Sequence, residues 1–301
     1  MMQETADDGG SSTACALVLA ATYRRDVAAS LRRVWENVHD WEHLPWLHAS
    51  TFASVAPLAP GPRGWRVKLV AQPGDPARAQ VVELDADPAR NRYRVVTLDG
   101  PGRGSEIRVR LVPRTANETG VVVEFHVPAA PAAKLARIGA RYIELYRRLW
   151  DEDEAMMIAR EAACARIAAT AAIGDMPADA STGPGNDAAR VAVALDLGTL
   201  TEVRARLPFV IELAGTPFRV VDVAGEILAH ATTCPHWFGP LDAVPVHDGC
   251  VTCPWHGFRF DVRTGASADG RELTLAPAPR VTITHGHVVL HREVVRPTRH
   301  P

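Results

Sequence analysis

Cysteine is scarce in this sequence, neither sign of charge dominates, and no long apolar run occurs; each scarcity closes a class of function. Five cysteines in 301 residues are too few for a small scaffold built on disulfides. Two of the five belong to the motif described below, so the expected compartment is a reducing cytoplasm. Lys and Arg number 33 against 35 Asp and Glu, a net charge of −2, which shows no bias toward nucleic acid or a membrane surface. No stretch approaches the roughly 20 apolar residues of a membrane-spanning helix. The opening residues MMQETADDGGSSTACALVLAATYRRD lack a basic start, and their short apolar run is closed by Arg24 and Arg25, so no signal peptide is expected. Nicotinamide and flavin signatures are missing as well. Gly100-Pro-Gly-Arg-Gly104 follows a strand-like run but opens no helix, which makes it a turn and not a dinucleotide loop. A C-x4-C-x2-C ferredoxin run is absent too, and there is no internal repeat.

What the sequence does contain is centred on Cys234-Pro-His236 and, after sixteen intervening residues, Cys253-Pro-Trp-His256. Each short segment offers one thiolate and one imidazole. A [2Fe–2S] cluster takes four ligands, and replacing two thiolates on one iron by neutral imidazoles makes the cluster less negative and raises its potential. A zinc finger would pair like with like, C-x2–4-C and then H-x3–5-H; here unlike ligands are paired. Cys250, three residues before Cys253, reads as a buried strand residue. The segments CPHWFGPL and CPWHGFRFDVRTG resemble those of Rieske ferredoxins and Rieske oxygenases. The second cysteine pair that some respiratory Rieske proteins carry is missing, because Gly239 and Trp255 stand at those positions.

In chain order, residues 1–13 read as a disordered polar tail. Ala16–Tyr23 reads as a first strand, and Asp26 as the cap of a helix reaching Val38, with Val27, Leu31, Val34, Trp35 and Val38 at helical spacing. Pro45 should act as a helix breaker, so that the chain from Leu44 onward leaves the helix. Short alternating runs bounded by Gly, Pro and Asp fill Thr51 to Val127: Trp65–Ala71, Gln80–Leu84, Tyr93–Leu98, Glu106–Pro113 and Gly120–Val127, an antiparallel meander. A long helix from about Pro131 to about Ala172 closes the unit. This order resembles the START-like helix-grip fold, which the catalytic domains of Rieske oxygenases share; the resemblance implies an apolar cavity between sheet and helix. After a linker rich in Gly, Pro and Asp come short strands at Val191–Leu195, Val210–Leu213, Phe218–Val223, Glu226–Ala231, Val281–Thr284 and Val288–His291. The expected fold class is α+β: a tail at 1–13, a START-like domain at 14–172, a linker at 173–189, an all-β Rieske domain at 190–293 and a tail at 294–301.

A second constellation, N-x2-D-x2-H-x4-H, occupies Asn37, Asp40, His43 and His48. A non-haem Fe(II) that activates oxygen takes two His and one carboxylate on one face and keeps positions open. His43 and His48 can converge if the chain folds back after Pro45, and Asp40 stands one helical turn before His43, where it can hold the imidazole. On the long helix, Asp153 falls within the stripe of Leu135, Ile138, Tyr142, Leu145, Leu149 and Met156. A carboxylate facing a cavity is costly unless paired or metal-bound. Glu152 is the alternative one residue away. The segment resembles the iron-binding segment of Rieske oxygenases, and the resemblance implies His43, His48 and Asp153 as ligands and Asp40 as the electron bridge from the cluster. DWEHLPWLH equally resembles a pocket-lining loop of metal-free START-like proteins, so both readings stand.

Two functions are compatible with these features. In one, the chain is a Rieske oxygenase component that passes electrons from the cluster to Fe(II) and oxygenates an apolar aromatic or lipid-like substrate with O2. Its partners are then an external ferredoxin or flavin reductase and, by resemblance, two further copies in a homotrimer. In the other, a non-enzymatic START-like domain for a hydrophobic ligand is fused to a Rieske electron carrier. The order departs from the oxygenase pattern, in which the Rieske domain comes first. No nucleic acid and no membrane span enter either reading.

Overall fold

The computed structural model describes residues 16–174 and 190–295. The expected tail at 1–13 lies outside them, as do residues 175–189 of the expected linker at 173–189 and 296–301 of the expected tail at 294–301, whereas 173–174 still belong to a helix and 294–295 to a strand. The chain divides into two compact units, Met1–Glu154 and Ala155–Pro301.

The first unit opens with β1 (Leu17–Val27), α1 (Leu31–His39) and the single turn α2 (Leu44–Leu47). Six strands follow: β2 (Phe52–Pro57), β3 (Arg66–Ala71), β4 (Gln80–Asp87), β5 (Arg92–Asp99), β6 (Glu106–Thr115) and β7 (Glu118–Pro128). They form one antiparallel sheet in the order β1-β7-β6-β5-β4-β3-β2. Period-two alternation assigns Val109, Leu111, Val121, Val123, Phe125, Val82 and Leu84 to one buried face and the charged residues between them to the other. The long helix α3 (Ala132–Gly174) lies on the buried face. There Phe125 stacks on Tyr142 at 4.6 Å and meets Tyr146 edge-on at 4.8 Å. This is the expected helix-grip arrangement.

Two local expectations are corrected. Asp26 does not cap α1: it is still in β1, paired with Gly120, because ladder bonds to β7 keep the chain extended as far as Val27. The cap is Ser30, whose hydroxyl accepts from the Arg33 N–H at 3.3 Å. Pro45 does not simply end a helix. Asp40 leaves α1 in an extended conformation, and Pro45 stands in the first turn of α2, where its missing N–H costs nothing. The edge strand β2 was not foreseen; its residues are mostly exposed, so they carry little alternation.

The second unit contains β8 (Arg190–Thr199), α4 (Leu200–Arg206), β9 (Phe209–Leu213), β10 (Thr216–Val223), β11 (Glu226–Ala231), β12 (Val246–His247), β13 (Cys250–Thr252), β14 (Arg259–Asp261), β15 (Arg280–Thr284) and β16 (His287–Val295). They make three small antiparallel sheets, β11-β10-β9, β12-β13-β14 and β15-β16-β8. Val203, Phe218, Val220, Ile227, Val288 and Leu290 form the core. The helix α4 was not expected, although Thr199-x-x-Glu202 writes a capping box and the structure forms it. Cys250 is in β13, as expected for a strand residue, but is half-buried rather than buried. Among the described residues no helix is long and apolar enough to cross a membrane.

Candidate metal centres

In the first unit the break between α1 and α2 turns the chain back, so that His43 and His48 face each other with ring centroids 5.2 Å apart. Both are buried. α3 brings Asp153 opposite them. Its Oδ1 lies 3.1 Å from His48 Nε2 and 3.5 Å from His43 Nε2, and one ligand atom from each of the three residues falls within 4.8 Å of the others. Adjacent donors on an octahedral ion with bonds of about 2.0–2.2 Å stand about 3 Å apart, close to the two carboxylate–imidazole distances here. Asp153 is only 8% exposed, and its Oδ1 makes no aligned hydrogen bond to either ring. A buried carboxylate oxygen in that state is costly without a cation, and two imidazoles and a carboxylate are a donor set that divalent iron accepts.

The far side of each ring is held by another acid. Asp40 Oδ2 lies 3.2 Å from His43 Nδ1, and Glu152 Oε2 lies 2.6 Å from His48 Nδ1. With a proton on each Nδ1, both Nε2 atoms keep their lone pairs on the side where Asp153 lies, available to a cation there. Of the two neighbouring carboxylates, Asp153 faces the Nε2 atoms and Glu152 supports one ring. Burial by itself would depress the His48 pKa, but the Asp153 and Glu152 carboxylates outweigh it and raise the value above that of ordinary histidine.

Beside the three residues opens a cavity of about 220 Å³ between sheet and α3, with walls that include Val82, Leu84, Ile107, Tyr146 and Leu149. Tyr93 also lines it. Burial, and to a lesser degree nearby ionisable groups including Asp153, hold the Tyr93 and Tyr146 phenols above the usual tyrosine range, so they stay neutral. These tyrosines were not singled out in the sequence; nothing in a strand or helix pattern marks which aromatic faces a void.

In the second unit the two cysteine-histidine segments form matching loops. Cys234 C=O accepts from Phe238 N–H at 3.1 Å and Cys253 C=O from Gly257 N–H at 2.9 Å; Cys234 N–H donates to Gly239 O and Cys253 N–H to Phe258 O. The fifth residue of each loop is left-handed, with φ 64° at Phe238 and 70° at Gly257. Glycine adopts that conformation freely, whereas for phenylalanine it is strained. Each loop also aims backbone amides at its own sulfur: those of His236 and Trp237 at Cys234, those of Trp255 and His256 at Cys253. Such donors stabilise thiolates. Cys234 and Cys253 are fully buried side by side; the hydrogen bond between their sulfurs pulls the Cys253 thiol down to about 5 and pushes that of Cys234 well up. The two imidazoles meet edge to face at 4.6 Å, and Phe258 lies 4.3 Å from His236. Thiolates and imidazoles therefore gather as two like pairs, one for each iron of a mixed-ligand cluster. A side-chain carbon on Gly239 would approach Cys253 Sγ to 2.7 Å, a constraint the sequence left unread.

Comparison with known proteins matches the two parts of the chain to different families. Residues 194–278 match the family described as "Rieske [2Fe-2S] domain", and residues 19–149 match "Polyketide cyclase / dehydrase and lipid transport". The anthranilate 1,2-dioxygenase ferredoxin subunit of Burkholderia cepacia is 34% identical over 70 residues, which are 23% of this chain and 65% of that protein; the chain thus spans just under two thirds of the relative. Among solved structures, the ferredoxin of carbazole 1,9a-dioxygenase from Nocardioides aromaticivorans IC177 covers 32% of this chain and 95% of its own at 25% identity, TM-score 0.29. Norcoclaurine synthase from Thalictrum flavum covers 52% and 96% at 17% identity, TM-score 0.38. The chain thus carries a helix-grip domain that matches the polyketide cyclase family, followed by a domain that matches the Rieske [2Fe-2S] family.

Proposed function

We propose that the chain is a Rieske-type non-haem iron oxygenase component acting on an apolar, aromatic or lipid-like, substrate held in the helix-grip cavity. Cys234, His236, Cys253 and His256 hold the [2Fe–2S] cluster; His43, His48 and Asp153 hold a mononuclear Fe(II). When bound, the mononuclear iron supplies reductive activation of O2 with electrons relayed from the cluster. The observation that carries this reading is the buried Asp153 Oδ1, facing two imidazole Nε2 atoms at 3.1 and 3.5 Å at the edge of an apolar cavity. Asp40 and Glu152 keep the Nδ1 protons in place, and Asp40 also serves as the bridge for the incoming electron. The apolar wall excludes water and admits a nonpolar molecule. Electrons come from an external ferredoxin or flavin reductase, the compartment is the cytoplasm, and the assembly is a homotrimer.

The test is iron and sulfide quantitation on anaerobically purified protein. About three irons per chain are expected, two of them with sulfide in the cluster. His43→Ala and Asp153→Ala should each lower the count to about two and abolish substrate-dependent oxygen uptake, with the visible spectrum of the cluster unchanged. Asp40→Asn should keep all three irons and lose turnover. Only two irons in the unmodified protein would favour the second reading, a ligand-binding domain fused to an electron carrier, for which the likeness to a ferredoxin subunit speaks.

A further inference from the structure

The face of the first unit's sheet turned away from α3 carries charge in two rows. One runs Asp85, Arg94, Arg108 and Glu124 across β4, β5, β6 and β7 and is balanced, since Glu106 also bonds Arg94 and Arg108 at 3.2 and 2.8 Å. The next row runs Asp87, Arg92, Arg110, Val122 and Arg24 and is not. Its one carboxylate, Asp87, is bonded by Arg90 at 3.0 Å and feels Arg92 only at longer range. Arg92 and Arg110 stand directly opposite each other. Among the described residues no side-chain hydrogen bond or ion pair reaches the guanidinium of Arg92, Arg110 or Arg24. Like charges opposed across an antiparallel pair, with β-carbons about 5 Å apart, destabilise a sheet, and replacing either by glutamate would remove that cost. Arg92 and Arg110 border a cleft of about 550 Å³ lined by six arginines and three carboxylates, a local excess in a chain whose net charge is −2.

We propose that Arg92 and Arg110, with Arg24 at the end of their row, form a binding site for a phosphate-bearing ligand on the outer face of the helix-grip sheet. Two neighbouring guanidinium forks match two sets of phosphate oxygens bidentately, and bound phosphate turns the repulsion between them into shared attraction. The same chemistry is offered by a soluble diphosphate or by the headgroup of an anionic lipid, and the experiment separates these sources.

The full chain is titrated calorimetrically with inorganic pyrophosphate, and sedimented with phosphatidylcholine vesicles with and without phosphatidic acid. A saturable, salt-weakened site for pyrophosphate, or retention on the phosphatidic acid vesicles only, is expected; the first identifies a soluble ligand and the second a lipid headgroup. Arg110→Glu should weaken that binding at least tenfold while raising the melting temperature without ligand, because the introduced carboxylate faces Arg92. Arg92→Gln should weaken it without that stabilisation, which covers the case of a poorly folded glutamate variant. Arg114→Gln removes the same charge from an arginine bonded to Asp26 and should leave binding within about twofold. Absence of binding in both assays, or equal binding by Arg110→Glu, overturns the proposal. Iron content plays no part in any readout, so the outcome is independent of the metal assignment.

Discussion

His48 concentrates the chemistry of the first unit, because two carboxylates act on opposite sides of one ring. Glu152 holds its Nδ1 at 2.6 Å and Asp153 faces its Nε2 at 3.1 Å, and together they raise its pKa above the ordinary histidine value. Two opposite pH dependences result. In the metal-free protein a raised folded pKa contributes stability that is fully present below the unfolded value and lost as pH rises through the folded one. The metal-free melting temperature should therefore fall across that window, and His48→Gln should flatten the slope. A metal must displace the Nε2 proton, so Fe(II) affinity should climb with pH, by up to about tenfold per unit, until the elevated pKa is passed. A titration giving the same affinity at about pH 6 and about pH 8 would contradict this. Glu152 and Asp153 also show what a sequence leaves open. Neighbours on a helix point about 100° apart, and only the placement of α3 decides which carboxylate meets the Nε2 atoms.

At the scale of elements, the closeness of α3 to the sheet rests on one missing side chain. The pairing of β1 with β7 shifts between Leu19 and Ala21, and this bulge turns the Ala20 carbonyl toward the helix. A β-carbon on Gly139 would stand 2.5 Å from that oxygen, a backbone atom that cannot swing away. Gly139→Ala gains about 1 kcal/mol of helix propensity but meets an overpacking cost of about 1–3 kcal/mol. A net loss of up to about 2 kcal/mol is expected, read as a lower melting temperature with the cluster spectrum intact. A more stable Gly139→Ala protein would show that the helix can withdraw from β1. The stripe from Leu135 to Asp153 was legible because burial repeats every three to four residues; the bulge was not, since nothing in Leu19-Ala20-Ala21 departs from an ordinary strand.

For the whole molecule, the proposed function takes its electrons from another protein, and that is open to a direct test. NADH alone should leave the cluster oxidised, whereas dithionite, or NADH with a ferredoxin reductase added, should bleach its visible absorption. Bleaching by NADH alone in the pure protein would mean that an electron-accepting site had gone unread.

The division into two domain types and the four cysteine and histidine residues proposed for the cluster are legible in the sequence alone. Ligands two or three residues apart are brought together by a single tight loop, so spacing is already geometry. The same holds for Asp40 and His43, one helical turn apart. Tertiary structure alone decided the rest. Asp153 meets His48 from the far end of the first unit, and the tyrosines and valines of the cavity become neighbours only when seven strands close on one helix. The row of Arg92, Arg110 and Arg24 exists only through strand register. Contacts of that kind depend on where whole elements dock, and docking is set by the summed packing of many side chains rather than by any local pattern.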